Sequence, residues 1–253
     1  MKIFKIARCV RQIPALAIIA ILFAWNLTFA EDSGTFVGVN IGYGDITMRT
    51  DTTAIEDSGD ILTQHKGNLA SGGGVNYGIV VGYKQFFTSH LGLRYYANFN
   101  ALHTTANPTA LMVQHAGIRT KQNITLLNYG ANIDFLGNFI ANNALDFGAF
   151  IGLGIGAESF LGADFTNYPK AFVDTSQIPN TAWEAKKTHF SVWANAGLRV
   201  NIAKHHSIEI FVRVPFMKSA ILQKSENVAG AKWGVKTSIK NSYDIGVRYG
   251  FSF

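Results

Sequence analysis

The chain has 253 residues, room for one sizeable domain or two small ones, and holds 25 glycines and 19 phenylalanines but only 5 prolines. Only 15% of its residues are charged, against about 25% in an ordinary chain, a mix that favours glycine-rich, aromatic β-structure. The formal charge of +6 does not mark a nucleic-acid binder, because four bases of the excess, Lys2, Lys5, Arg8 and Arg11, lie in the first twelve residues.

Those twelve, "MKIFKIARCVRQ", precede the apolar run "IPALAIIAILFAWNL", then "TFA", then "EDSG". A basic start, an apolar run and a small-residue end form a secretory signal peptide, with the cut expected after Ala30. The reading divides the chain into a leader, residues 1–30, and a mature part, residues 31–253. An uncleaved anchor is the rival, since an extended run could nearly span a bilayer, but "TFA" followed at once by Glu31 and Asp32 favours cleavage. Losing the leader removes four of the 22 bases and leaves 18 against 16 acids. No basic face then survives processing for nucleic acid. Cys9, the single cysteine, lies before the apolar run, so it is not placed as a lipoprotein acylation site, and the mature chain has no thiol.

From Thr35 onward the period is two, the mark of strands whose alternate side chains face opposite sides. "FVGVNIGYG" sets Val37, Val39, Ile41 and Tyr43 against Gly38, Asn40, Gly42 and Gly44. The same split recurs in "VNYGIVVGYK", "LGLRYYANFNA", "LNYGANIDF", "LDFGAFIGLGIGAE", "FSVWANAGLRVNI" and "SIEIFVRV", where Pro215 limits the ladder, and in the closing "SYDIGVRYGFSF". Eight strands are expected. Their connections alternate: Gln85–His90, Gly137–Asn143 and Ala203–His206 are short, while Thr47–Gly74, Thr104–Asn123, Leu161–Thr188 and Met217–Thr237 are long and mostly polar. Such a layout predicts an all-β, transmembrane, antiparallel up-and-down β-barrel of eight strands, with short periplasmic turns and four long extracellular loops.

Period two also suits a soluble barrel; the faces separate the two. Bulky apolar residues occupy one face of every strand, and the other carries glycine with Arg94, Arg199, Arg213, Arg248, Asp134, Asp146, Glu158, Glu209 and Asp244. A narrow tube can pair such charges inside only if its apolar face meets acyl chains. No mature segment has an apolar run long enough for a spanning helix, and in hydrocarbon only helices and closed barrels satisfy their backbone. Tyr43, Tyr83, Tyr95, Phe135, Tyr243 and Phe253 lie near strand ends, where interfacial girdles belong.

The sharper motifs weaken in context. "GLGIGA" at Gly152–Ala157 resembles half a dinucleotide fingerprint but has no helix after it, so its glycines read as inward spaces beside Trp193 and Phe211. The histidines His65, His90, His103, His115, His189, His205 and His206 fall mostly in expected loops and turns, without a ligand cluster or a serine-and-acid pairing. "NIT" at Asn123 reads as a strand start rather than a glycosylation site. No catalytic, cofactor-binding or metal residue is nominated, and no cofactor is expected.

"GYKQFF", "LGLRYYANFN", "YGANIDFLGNF" and "NAGLRVNIAKHHSIEIFVRVPFM", in that order and followed by an aromatic-ended last strand, resemble the outer-membrane protein family of Helicobacter and relatives. The resemblance is strongest from Gly82 onward. It implies a surface-exposed barrel in the cell outer membrane, where some members are adhesins or porins, often with a large external domain for which this chain has no room. The terminal Phe253 behind alternating apolar residues also resembles the signal read by barrel-assembly machinery. The expected role is a structural or surface-interaction one through the loops, not an enzymatic one; a small porin or channel is the alternative, and a membrane-embedded enzyme acting on lipid or surface polymer ranks behind it. Expected partners are outer-membrane lipids and lipopolysaccharide, the assembly machinery, and a host or surface ligand at the loops. The loop aromatics Tyr168, Phe172, Trp183 and Trp233 form no diagnostic site.

Overall fold

In the computed structural model, residues 33–56, 58–110, 113, 119, 121–142, 145–162, 185–228 and 231–253 are described; the leader, His115, Tyr168, Phe172 and Trp183 lie outside them. Among the described residues the chain forms β1 (Gly34–Glu56), β2 (Ile61–Phe86), β3 (Leu91–Pro108), β4 (Gln122–Ala141), β5 (Leu145–Leu161), β6 (Thr188–Ile202), β7 (His206–Pro215), β8 (Ser219–Val228) and β9 (Ala231–Ser252). Every pairing is antiparallel, and β1 bonds both β2 and β9, which closes the ring.

Nine strands make eight staves. β7 pairs with the lower half of β9, from His206 opposite Phe251 to Arg213 opposite Asp244, and β8 pairs with its upper half, from Ser219 opposite Ile239 to Val228 opposite Ala231. The stave breaks after Pro215, which has no N–H for the ladder. Lys186 N donates to Ile221 O at 2.8 Å, so the segment leading into β6 covers the outer edge of β8.

The register fixes the barrel's shape. From Tyr43 the partners run Val75, His103, Thr125 and Leu161 one way round, and Ile245, Val212, Ala196 and Ile151 the other. Both paths end on β5, at Leu161 and Ile151, ten residues apart. With a rise of ~3.3 Å and a strand spacing of ~4.8 Å, a shear of ten on eight staves gives a tilt of about 40° and a radius of roughly 8 Å. One residue therefore climbs about 2.5 Å along the barrel axis.

Allowing for that tilt, Tyr43, Tyr77, Phe99, Tyr129 and Tyr243 share one level, with Phe190 and Phe216 close to it, and all are exposed. Phe87, Phe139 and Phe253, exposed as well, lie about ten residues lower. That separation is about 25 Å, the height of the lipid-facing apolar band of such barrels. Between the two rings the outward side chains are mostly Val, Ile, Leu, Ala and aromatics; Ile41, Ile79, Ile151 and Leu153 among them are exposed.

Three of the long polar connections turn out differently from expectation. β1 and β2 run on through 47–56 and 61–74, β3 and β4 reach Pro108 and Gln122, and β8 with the upper part of β9 fills most of 217–237. Consequently His65, Ser71–Gly74 and Trp233 lie on strands rather than in loops, and His103 and His189 lie on β3 and β6. Above the membrane an outward position need not be apolar, so polar stretches with β-branched threonine at outward positions, such as Thr47 and Thr53, continue the ladder. Asn123 falls one residue inside β4, as a strand start should. Opposite the hairpins, the β6–β7 turn passes through two left-handed residues, Ala203 (φ 50°) and Lys204 (φ 64°).

Candidate functional site

Two regions could carry function: the inside of the tube and the part that stands above the upper aromatic ring. Inside, every charged residue assigned to the inward face is buried: Arg94, Arg199, Arg213 and Arg248 with Asp134, Asp146, Glu158, Glu209 and Asp244. Lys84 joins them, so five bases face five acids among the described residues.

The lower lumen is bridged from wall to wall. Arg94 on β3 donates through Nη2 to Asp134 Oδ2 on β4 at 2.7 Å, and through Nη1 to Glu209 on β7. Arg248 Nη1 on β9 reaches the other oxygen of Glu209 at 3.1 Å. Charged groups taken out of water are stable only when paired and hydrogen-bonded. Inward aromatics complete the packing: the guanidinium of Arg94 lies 4.8 Å from the Phe150 ring centre, that of Arg248 5.1 Å from Phe211, that of Arg213 5.4 Å from Trp193 and that of Arg199 5.4 Å from Phe86. Each is within the range of a cation–π contact, which strengthens when desolvated.

Above this layer a closed circuit of amides crosses the tube. Asn98 Nδ2 donates to Asn128 Oδ1 (2.8 Å), Asn132 Nδ2 to Asn98 Oδ1 (2.7 Å) and Asn195 Nδ2 to Asn132 Oδ1 (3.0 Å). Arg213 closes it, donating to Asn195 Oδ1 at 3.2 Å and Asn128 Oδ1 at 2.9 Å. The buried indole of Trp193 donates to Asn132 Oδ1 at 2.7 Å and lies where a side chain on Gly154 would be. "GLGIGA" is therefore the floor under a tryptophan, and the strand reading of that motif stands.

Higher still the inward face changes character. Ile46, Met48, Leu102, Leu126, Phe160 and Ile239 belong to one buried apolar cluster built from β1–β5, β8 and β9. By register it lies about 4–17 Å above the upper aromatic ring. The tube thus reverses its polarity: apolar outside and polar inside within the membrane, polar outside and apolar inside above it.

That apolar cap is the feature the sequence reading missed. Its signal is present, since Ile46, Met48, Leu126 and Ile124 continue the inward phase of β1 and β4, but the polar residues around them carry the composition of a loop. Among the described residues the histidines gather in no common site. His90 Nδ1 contacts Ser89 Oγ at 2.8 Å in the β2–β3 turn, His103 Nδ1 contacts Thr125 Oγ1 at 2.8 Å on the outer wall, and His206 Nδ1 contacts the Tyr249 hydroxyl at 2.8 Å. Among the described residues no group of three or more His, Cys, Asp or Glu side chains could hold a metal ion.

With the ring closed and its lipid face defined, the comparison with known families decides the identity: the model described as Helicobacter outer membrane protein matches residues 78–253. The chain belongs to that family. Its location is accordingly the cell outer membrane, with its short turns on the periplasmic side and its long hairpins outside. No curated protein matches the chain. Among solved structures it is similar to the outer membrane protein OprG of Pseudomonas aeruginosa, at 14% identity over 88% of this chain and 99% of that one, with a TM-score of 0.47. It is also similar to Neisserial surface protein A (12%, 88% and 99%, 0.38) and to Ail, the attachment invasion locus protein of Yersinia pestis (13%, 86% and 99%, 0.30).

Proposed function

We propose that this outer membrane protein is a closed surface barrel, with a structural or surface-interaction role exercised by the hairpins above the bilayer rather than by passage through its lumen or by catalysis. One observation carries the reading: Arg94, Glu209 and Arg248 join opposite walls of a tube of roughly 8 Å radius, and the amide circuit and the apolar cap lie above them. A barrel of eight strands has an interior only wide enough for its own side chains. The small-porin reading therefore ranks below the closed one, and the reading as an enzyme ranks lower again.

In the same reading, residues 1–30 are a leader removed after Ala30, and residues 31–253 are the mature barrel. The closing strand ending at Phe253 is what the assembly machinery engages, and a host or surface ligand meets the hairpins. Loss of the leader removes Cys9, so an introduced cysteine becomes the sole thiol. In intact cells, Ser58→Cys at the exposed β1–β2 tip should react with a membrane-impermeant maleimide, and Lys204→Cys in the β6–β7 turn should not. Labelling at Lys204→Cys and protection at Ser58→Cys would reverse the orientation and remove the proposed role.

A further inference from the structure

The outer wall just above the aromatic ring is not uniform. By register, Lys218 and Lys240 lie about 10 Å, and Arg49, Lys186 and Lys236 about 15 Å, above the level of Tyr43 and Tyr243. They occupy one continuous arc, because β1 pairs with β9, β9 with β8, and β8 is flanked by the segment holding Lys186. Lys186, Lys218 and Lys236 are exposed, and Arg49 and Lys240 are half-buried.

Two carboxylates on this arc have described side chains at these heights. Asp51 accepts from Arg49 Nε at 3.0 Å and stands between Lys66 and Lys236 in the register; Asp45 stands opposite Tyr243, nearer the membrane. On the facing wall the outward positions from 101 to 105 on β3, 123 to 127 on β4 and 157 to 161 on β5 hold no Lys, Arg, Asp or Glu. Between about 10 and 15 Å above the ring the described cations are thus gathered on one side, at the height where an outer-leaflet glycolipid carries its phosphates, while Lys121 stands higher on the facing wall.

We propose that Arg49, Lys186, Lys218, Lys236 and Lys240 form a binding face for the phosphorylated headgroup of an outer-leaflet lipopolysaccharide, held against the β9–β8 side of the barrel. Two features select this occupant over a soluble anion. The arc begins immediately above the tyrosines that mark the membrane boundary, so acyl chains anchored beside β1 and β9 deliver the headgroup to it. Basic side chains close to an anionic lipid surface each add attraction that decays within a Debye length, and a soluble ion would gain none of that anchoring.

The inference deepens the partner half of the reading above, but its test in micelles does not depend on which hairpins face the exterior. The full mature protein would be titrated in neutral detergent with bisphosphorylated lipid A, with enzymatically dephosphorylated lipid A and with inorganic phosphate, and bound lipid counted by native mass spectrometry. Bisphosphorylated lipid A should bind best, and the variant K218Q/K236Q/K240Q should lose about fivefold in affinity for each charge removed. Equal binding of the dephosphorylated lipid to the unaltered protein would overturn the proposal without any variant. Displacement of the lipid by millimolar phosphate would overturn it too, and so would a folded triple variant with unchanged affinity.

Discussion

Arg94 and Glu209 stand four staves apart on a ring of eight, and their side chains meet across it. The lumen is therefore no wider than two extended side chains, and its charge pattern doubles as its scaffold. Glu209 takes a second guanidinium from Arg248, while Arg94 also holds Asp134, so the pairs are links of one chain.

Replacing Glu209 by Ala leaves two buried guanidinium groups short of their shared carboxylate. Removing one partner of a buried ion pair costs about 3–5 kcal/mol. Urea unfolding of the barrel in vesicles should show a loss of that size, and a loss under 1 kcal/mol would mean that the links do not hold the walls together.

Ile151 tests the assignment of faces. It is 65% exposed and lies about halfway down the apolar band by register. A lysine there faces hydrocarbon and should cost roughly 2–4 kcal/mol, read as reduced folding into vesicles, whereas Ile151→Leu should fold normally. Equal folding of the lysine variant would turn the strand inside out.

The apolar cap makes a prediction of its own. Phe160 is fully buried above the membrane level, packed with Leu102, Leu126 and Ile239 among others. Truncation to alanine should cost about 3–5 kcal/mol. Because the affected contacts all lie above the lipid, hydrogen exchange should rise first in the upper parts of β3, β4, β5 and β9, where those side chains stand. Acceleration spread evenly down to Val247 and Ile210 would contradict a separate cap.

Much of the membrane-embedded part was legible in the sequence because lipid leaves few choices. Alternation in "FVGVNIGYG" and "SYDIGVRYGFSF" assigned Arg248 and Asp244 inward and Tyr249 outward, and burial agrees. What lay above the bilayer was not legible by the same rule. Once the lipid ends, Thr47, Arg49 and Asp51 can face water on a strand, so polarity no longer separates strand from loop. The pairing of Arg94 with Glu209 could not be read either, since 115 residues separate them and only the shear brings them to one height. The aromatic beds of the arginines were half visible: Phe150, Trp193 and Phe211 share the inward phase, but which arginine lies on which ring depends on the tilt.

Phe253 stands at the lower aromatic ring. Its N–H donates to Thr35 O at 3.0 Å, and Ser252 N donates to His205 O at 2.8 Å, so the last residues are held at the seam. If the end of this strand is also what the assembly machinery reads, deleting Phe253 should reduce outer-membrane levels in cells strongly while the purified variant still folds into vesicles. Normal levels in cells would remove the terminal signal from the account.

The central claim is closure of the lumen, and single-channel recording of the refolded full-length mature protein in a planar bilayer tests it most directly. The account predicts a baseline without discrete openings, and Glu209→Ala as the first place where openings emerge. Regular, discrete conductance steps from the unaltered protein would contradict it and restore the small-porin reading.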